Sequence, residues 1–246
     1  MGRVNWQVML GLALIALSAV VYFIHYLIFR DAHHIFIYMI GDIAFVFVEV
    51  LMVTVIIHRL LSLREKRAIL EKLNMVIGAF FSEVGTRLLQ RFSSLDADSD
   101  EITKHLVLTA PWSNKDLLAV GKLLEDHDYT VEAEKDALEE LQAFLVGRRS
   151  FVLRLLENPN LLEHESFTDL LWAVSHLTEE LAYREDVRRL PDSDYAHLAG
   201  DIERAYTLLA SEWLAYMKHL RDNYPYLFSL AMRTNPFDPH ASPVVT

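Results

Sequence analysis

Two apolar runs, Trp6–Phe29 and Ile35–Ile57, restrict this chain more than anything else in its sequence. The first carries no acidic or cationic residue, and the second only Asp42 and Glu49. At about 1.5 Å per residue each run makes a helix roughly 35 Å long, enough to cross a hydrocarbon core of about 30 Å with some tilt. Only Arg30-Asp31-Ala32-His33-His34 separates them, so the pair reads as a transmembrane hairpin over residues 1–58. A cleaved signal peptide is the rival reading, because Ala16-Leu17-Ser18 could mimic a cleavage site. The apolar run continues well past Ser18 and a second run follows directly, which favours a retained span. Myristoylation at Gly2 lacks the Ser or Thr it needs at position 6, which is Trp6.

Charge at the flanks orients the hairpin. Arg59, Arg64, Lys66 and Arg67 crowd the exit of the second run, and Arg3 precedes the first. The turn offers Arg30, offset by Asp31. Lysine and arginine favour the cytoplasmic side, so both termini are expected in the cytoplasm and the chain in the inner (plasma) membrane. The lipid bilayer is thus the first expected partner.

Beyond the hairpin the 246-residue chain has room for one compact domain of roughly 150 residues. Its net charge of −11 argues against nucleic acid, whose phosphates need a basic surface. With no cysteine there is no disulfide, thiolate metal site or cysteine nucleophile. Residues 59–92 form a juxtamembrane amphipathic helix with Leu70, Leu73, Ile77, Phe80, Val84, Leu88 and Phe92 on one stripe. The stripe suits a stalk or an interfacial helix, but best suits the first helix of a bundle. Ser93 to Asp100 is acidic and reads as an exposed linker, opening a cytoplasmic helical domain over 93–234.

Within that domain a short helix is expected before Pro111. Ser113 with Asp116 makes a capping box for a helix from Asn114 to Asp126. A long helix follows from Val131 to about Glu157, stopped by Asn158-Pro159-Asn160. Another spans about 165–189, and the cleanest amphipathic stripe runs from Tyr195 to Leu220. A short helix follows Pro225, and the proline-bearing tail 235–246 is expected to be disordered. No strand-like alternation is present, so the fold class is all-α: a two-helix hairpin and a helical bundle.

Asp42-Ile43-Ala44-Phe45, Arg64-Glu65-Lys66-Arg67 and especially the stretch Lys72 to Gly85 resemble a family of uncharacterised prokaryotic two-span membrane proteins. The resemblance is strongest over about residues 40–90. It implies two spans and a helical cytoplasmic part, and it brings no activity.

Asp42 and Glu49, seven apart, share one face of the second run about two turns apart. Buried in lipid they would be costly, so they are expected to face protein or water, as interhelical glue or as an ion path. By depth, Tyr22 and His25 can reach Asp42, whereas Ser18 is the polar residue nearest the level of Glu49. Glu49 is therefore assigned to a contact between copies, making the protein a homo-oligomer. His25, His33 and His34 gather at the outer end with Asp42, but their spacing is no recognised ligand motif and no metal site is assigned.

His176 resembles a sensor-kinase phosphoacceptor and His197 a phosphotransfer histidine, yet the acid of the first is displaced and its following Arg-Thr-Pro is missing, and the lysine of the second is missing. A di-iron bundle would need paired Glu-x-x-His motifs; Asp194-x-x-His197 and the reversed His176-x-x-Glu179 do not supply them. No catalytic residue or cofactor is assigned. The function expected is a membrane-anchored interaction, scaffold or signalling module with a cytoplasmic protein partner, and the alternative is a small oligomeric transporter using Asp42 and Glu49.

Overall fold

The computed structural model describes residues 6–107, 112–132 and 134–245. Arg3 and Pro111 lie outside them. The chain divides into two compact units, Met1–Glu65 and Lys66–Thr246.

The first unit holds α1 (Trp6–Phe29) and most of α2 (Ala32–Phe80). Both are helical because they are predominantly apolar and free of proline, so that in a medium without water the backbone satisfies its hydrogen bonds within the helix. The turn between them is tighter than the five residues expected, for an identifiable reason. Arg30 takes a left-handed φ of 48°, and the Asp31 carboxylate accepts from the backbone N–H groups of His33 (2.9 Å) and His34 (3.2 Å). Asp31 is thus an N-cap, and α2 starts at Ala32 rather than Ile35. No residue in the most apolar window of either helix is buried.

The second unit closes around a core that starts earlier in the chain than expected. Leu73, Ile77 and Phe80 on the last part of α2 are fully or almost fully buried, as are Phe81, Val84, Leu88, Leu89 and Phe92 after it. The amphipathic stripe over 59–92 therefore belongs, from Leu73 on, to the bundle core, and the domain does not begin at residue 93. Between α2 and α3 (Thr86–Leu95) the chain widens into one π-turn, Phe81–Gly85. Phe80 and Phe81 pack edge to face, Phe80 meets Phe167, and Phe81 stacks on Tyr216. A Cβ on Gly85 would stand 2.6 Å from the Phe81 ring and 2.9 Å from the Phe80 ring. Glycine is what lets both rings enter the core here, and the Phe81 carbonyl accepts both the Thr86 backbone N–H that closes the wider turn and the Thr86 hydroxyl.

Leu95 and Asp96 are buried, which corrects the exposed-linker reading of 93–100. Ala97 N–H donates to Thr130 O and Glu132 N–H to Leu95 O, an isolated antiparallel bridge that holds Asp96 beside Val131. The same bridge keeps Val131 out of the following helix. After α4 (Ser99–Leu106), α5 (Asn114–Asp126) begins with the expected capping box, Ser113 N–H donating to Asp116 and Asp116 N–H to Ser113 Oγ. Next come α6 (Lys135–Leu156) and α7 (Glu165–Ala182). Helix α7 ends at Ala182, short of Arg189, and Gln142 Nε2 donates to the carbonyls of Leu181 and Arg184 at that end, 2.7 Å each.

The centre of the unit is α8 (Asp192–Asn223), which contacts α3, α5, α7 and α9 (Pro225–Arg233). Its buried side, from Leu198 through Tyr206 and Trp213 to Leu220, is the stripe read from the sequence. The tail is a further correction. Asn235 Nδ2 donates to Leu106 O, Asn235 Oδ1 accepts from Phe237 N–H, and the Phe237 ring meets Trp213 edge to face. Three prolines suggest disorder, but one apolar ring with a core vacancy to fill outweighs them.

Candidate functional site

The polar groups of the two apolar helices do not form one cluster. The Tyr22 hydroxyl donates to Asp42 Oδ2 at 3.5 Å, a long contact but the pairing expected from depth along the helices. His25 does not join them. Its ring lies against Phe29 and His34, and its Nε2 is buried without a hydrogen bond to any described residue. Glu49 makes no hydrogen bond or ion pair with the described residues. Arg59, Arg64 and Lys66 are exposed on α2, and the Arg67 side chain lies outside the described set.

A tighter constellation forms in the second unit, between α7 and α8. One turn of α7 carries His176 and Glu180, and one turn of α8 carries His197 and Asp201. Each pair is i,i+4, so each presents both side chains from one helix face. His176 Nε2 lies 3.4 Å from Asp201 Oδ2 and 3.9 Å from Glu180 Oε1. His197 Nε2 lies 3.5 Å from the same Asp201 oxygen and 3.7 Å from Glu180 Oε2. Four side chains thus converge across the helix pair, each histidine facing the acid of its own helix and of its neighbour.

The elements fix this geometry. Arg184, at the end of α7, forks onto Asp194 of α8 through Nε (2.8 Å) and Nη2 (2.7 Å) while Nη1 holds Glu180 Oε2 at 2.7 Å. The Tyr195 hydroxyl donates to Val187 O, closing the connection between the helices. Arg184 holds the Glu180 carboxyl below its usual range, chiefly by hydrogen bonding, and does the same to Asp194. On the other side Arg204 Nη1 donates to Asp201 Oδ1 at 2.9 Å. Asp201 is only 4% exposed, and its second oxygen, Oδ2, accepts no hydrogen bond from a described residue although both imidazoles stand within 3.5 Å. The two histidines are about half exposed, so the cluster is open to solvent on their side.

A second buried pair, Asp96 with His127 Nε2 at 3.1 Å, is enclosed and has its own structural task. His127 packs on Tyr129, and Tyr129 on Tyr206, so the pair anchors the isolated bridge to the core. Burial, with Asp96 adding to it, pushes the Tyr129 hydroxyl well above the usual phenol range.

The His176–Glu180–His197–Asp201 cluster has no counterpart in the sequence reading, which weighed His176 and His197 singly and against i,i+3 motifs. The usable signal was a repeated spacing, histidine followed four residues later by a carboxylate, once on each of two successive helices.

These features define an all-α protein in two parts, an apolar N-terminal helix pair and a separately cored C-terminal helical domain bearing a histidine–carboxylate cluster. The chain belongs to the MJ1433 family. Its residues 2–61 match the family's N-terminal helical domain, and residues 69–233 match the C-terminal helical domain of uncharacterized protein MJ1433. The uncharacterized protein MJ1433 of Methanocaldococcus jannaschii is 48% identical over 234 residues, covering 95% of this chain and 94% of the relative. No solved structure matches the chain. The family match is far longer than the stretch around residues 40–90 that carries the resemblance in sequence.

Proposed function

We propose that this protein is a membrane-anchored helical module, with the apolar helix pair crossing the plasma membrane and the C-terminal domain working in the cytoplasm against proteins or further copies of itself. The observation that carries this reading is the contrast between the units. The second buries its large apolar side chains in a continuous core, while the first leaves the apolar windows of both helices wholly unburied. Soluble proteins rarely expose contiguous apolar patches beyond a few hundred Å². The 22 residues of Val8–Phe29 make a helix of about 33 Å, the length a bilayer core requires. Arg59, Arg64, Lys66 and Arg67 after the second apolar run favour cytoplasmic ends over a cytoplasmic turn.

Association of copies is the second part of the reading, and it draws on the difference between the two acids of α2. Asp42 has the Tyr22 hydroxyl, while Glu49 makes no polar contact with the described residues. A copy placed symmetrically brings a second Glu49 to the same depth, and two carboxyls can share one proton there.

Topology reporters test the anchor. A reporter active only in the cytoplasm should work when fused after Thr246, and one active only outside should work when inserted at Arg30–Asp31. Recovery of the unfused protein in the soluble fraction, without detergent, would overturn the reading.

A further inference from the structure

We propose that His176, Glu180, His197 and Asp201 bind one first-row divalent transition-metal ion, with zinc as the best-matched member of that class. The site lies wholly within the C-terminal domain, so it stands independently of the membrane reading.

The geometry comes first. Ligands about 2.0–2.1 Å from a tetrahedral zinc ion are separated from one another by about 3.3 Å. To the inner oxygens, His176 Nε2 stands 3.4 Å from Asp201 Oδ2 and 3.9 Å from Glu180 Oε1, and His197 Nε2 stands 3.5 Å from Asp201 Oδ2. His197 meets Glu180 through the outer Oε2, 3.7 Å away, so it completes the polyhedron by a shift of its side chain toward Oε1. One ligand atom each from His176, Glu180 and Asp201 already lies within 4.8 Å of the others.

The state of Asp201 is the second, independent argument. Its Oδ2 is buried, makes no hydrogen bond with the described residues, and is aimed between two imidazole nitrogens. In the tautomer that carries its proton on Nδ1, each imidazole turns an Nε2 lone pair toward that oxygen, and two such nitrogens with one free carboxylate oxygen make a donor set for a cation at their meeting point.

The third argument concerns the outer contacts. Metal-bound carboxylates are generally held by hydrogen bonds to the oxygen that faces away from the ion. Arg204 holds Asp201 Oδ1 and Arg184 holds Glu180 Oε2, leaving Asp201 Oδ2 and Glu180 Oε1 for the ion. The two arginines also fix the carboxylates in place and offset their charge, so the inner oxygens are preorganised.

Donor chemistry selects the metal. Two imidazoles with two carboxylates suit zinc, iron(II), cobalt(II) or nickel(II), whereas magnesium and calcium take oxygen donors and copper(I) takes sulfur. The half-exposed histidine edge gives the ion an entry path.

The test uses the full chain in mild detergent, stripped with a chelator and titrated with zinc alone against a chromophoric competitor. Wild type should take up one equivalent that the His176→Ala/His197→Ala double variant lacks. Each single histidine variant and Asp201→Asn should bind at least about 10–100-fold more weakly. His240→Ala, far along the tail, should bind as wild type does. Helical circular dichroism separates loss of metal from loss of fold, and because both histidines are half exposed their variants decide the matter even if Asp201→Asn misfolds. Cobalt(II) should give the intense visible bands of a four-coordinate site. Absence of zinc uptake by wild type at micromolar free metal, or equal uptake by the double variant, overturns the proposal.

Discussion

Cutting the chain at residue 93 tests where the helical domain begins. The fragment 93–246 keeps α4 to α9 but loses eight buried apolar side chains between Leu73 and Phe92, among them Phe80, Phe81 and Phe92. Fully burying a Val, Leu, Ile or Phe contributes about 1.5–3 kcal/mol, so the eight together contribute about 12–24 kcal/mol. The whole net stability of a domain is only about 5–15 kcal/mol, which means the lower figure alone nearly removes it. The remaining helices would also expose the faces that those side chains cover, notably Phe167, Tyr206 and Tyr216. A fragment starting at Lys66 keeps all eight. Circular dichroism during heating should show a cooperative transition for 66–246 and a shallow, non-cooperative loss of helix for 93–246. Cooperative melting of 93–246 within a few degrees of 66–246 would refute the argument that the end of α2 and α3 belong to this core.

Substitutions at Gly85, in the Ser113–Asp116 capping box and at Glu49 probe three other places in the chain. Gly85→Ala forces a Cβ into the Phe80 and Phe81 rings, and should lower stability by about 1–3 kcal/mol, read as a lower melting temperature of the 66–246 fragment. Hydrogen bonding from Ser113, through its side chain and then its backbone, holds the Asp116 carboxyl below its usual value. A depressed carboxyl pKa stabilises the fold above the unfolded value of about 3.9 and loses that contribution as pH falls through the folded value. Asp116→Asn should therefore flatten the stability curve in that acid window, while Ser113→Ala should cost about 1 kcal/mol at neutral pH. In detergent, Glu49→Leu should weaken association by about 0.6–2 kcal/mol while Glu49→Gln keeps it; a monomeric wild type by light scattering would rule out the contact.

What could be read in the sequence is whatever rests on local chemistry. Ser113 and Asp116 cap α5 by contacts three residues apart, so their spacing alone announces the helix start. The α8 stripe is equally legible because every member faces one neighbour-lined side. Asp96 was not legible: in an acidic run it reads as solvated, and its burial is made tolerable by the Asp98 N–H beside it together with His127, 31 positions on. The Phe81–Gly85 π-turn depends on where Phe167 and Tyr216 arrive from other helices. The histidine–carboxylate cluster depends on α7 and α8 meeting in the right register, which Arg184 and Tyr195 set at a connection whose residues look ordinary in isolation. Phe237 defeated a compositional rule because a single ring seated on Trp213 outweighs the prolines near it.

The bond from Asn235 to the carbonyl of Leu106 spans 129 positions, and it carries a cost during biosynthesis. At about 5–20 residues per second, roughly 6–26 s separate the appearance of Leu106 from that of its latch. Through that interval α5 can already pack on α4, but the Leu106 carbonyl at the end of α4 has no Asn235 to accept from. The domain thus spends seconds of every synthesis without the contact that ties its C-terminal tail to α4.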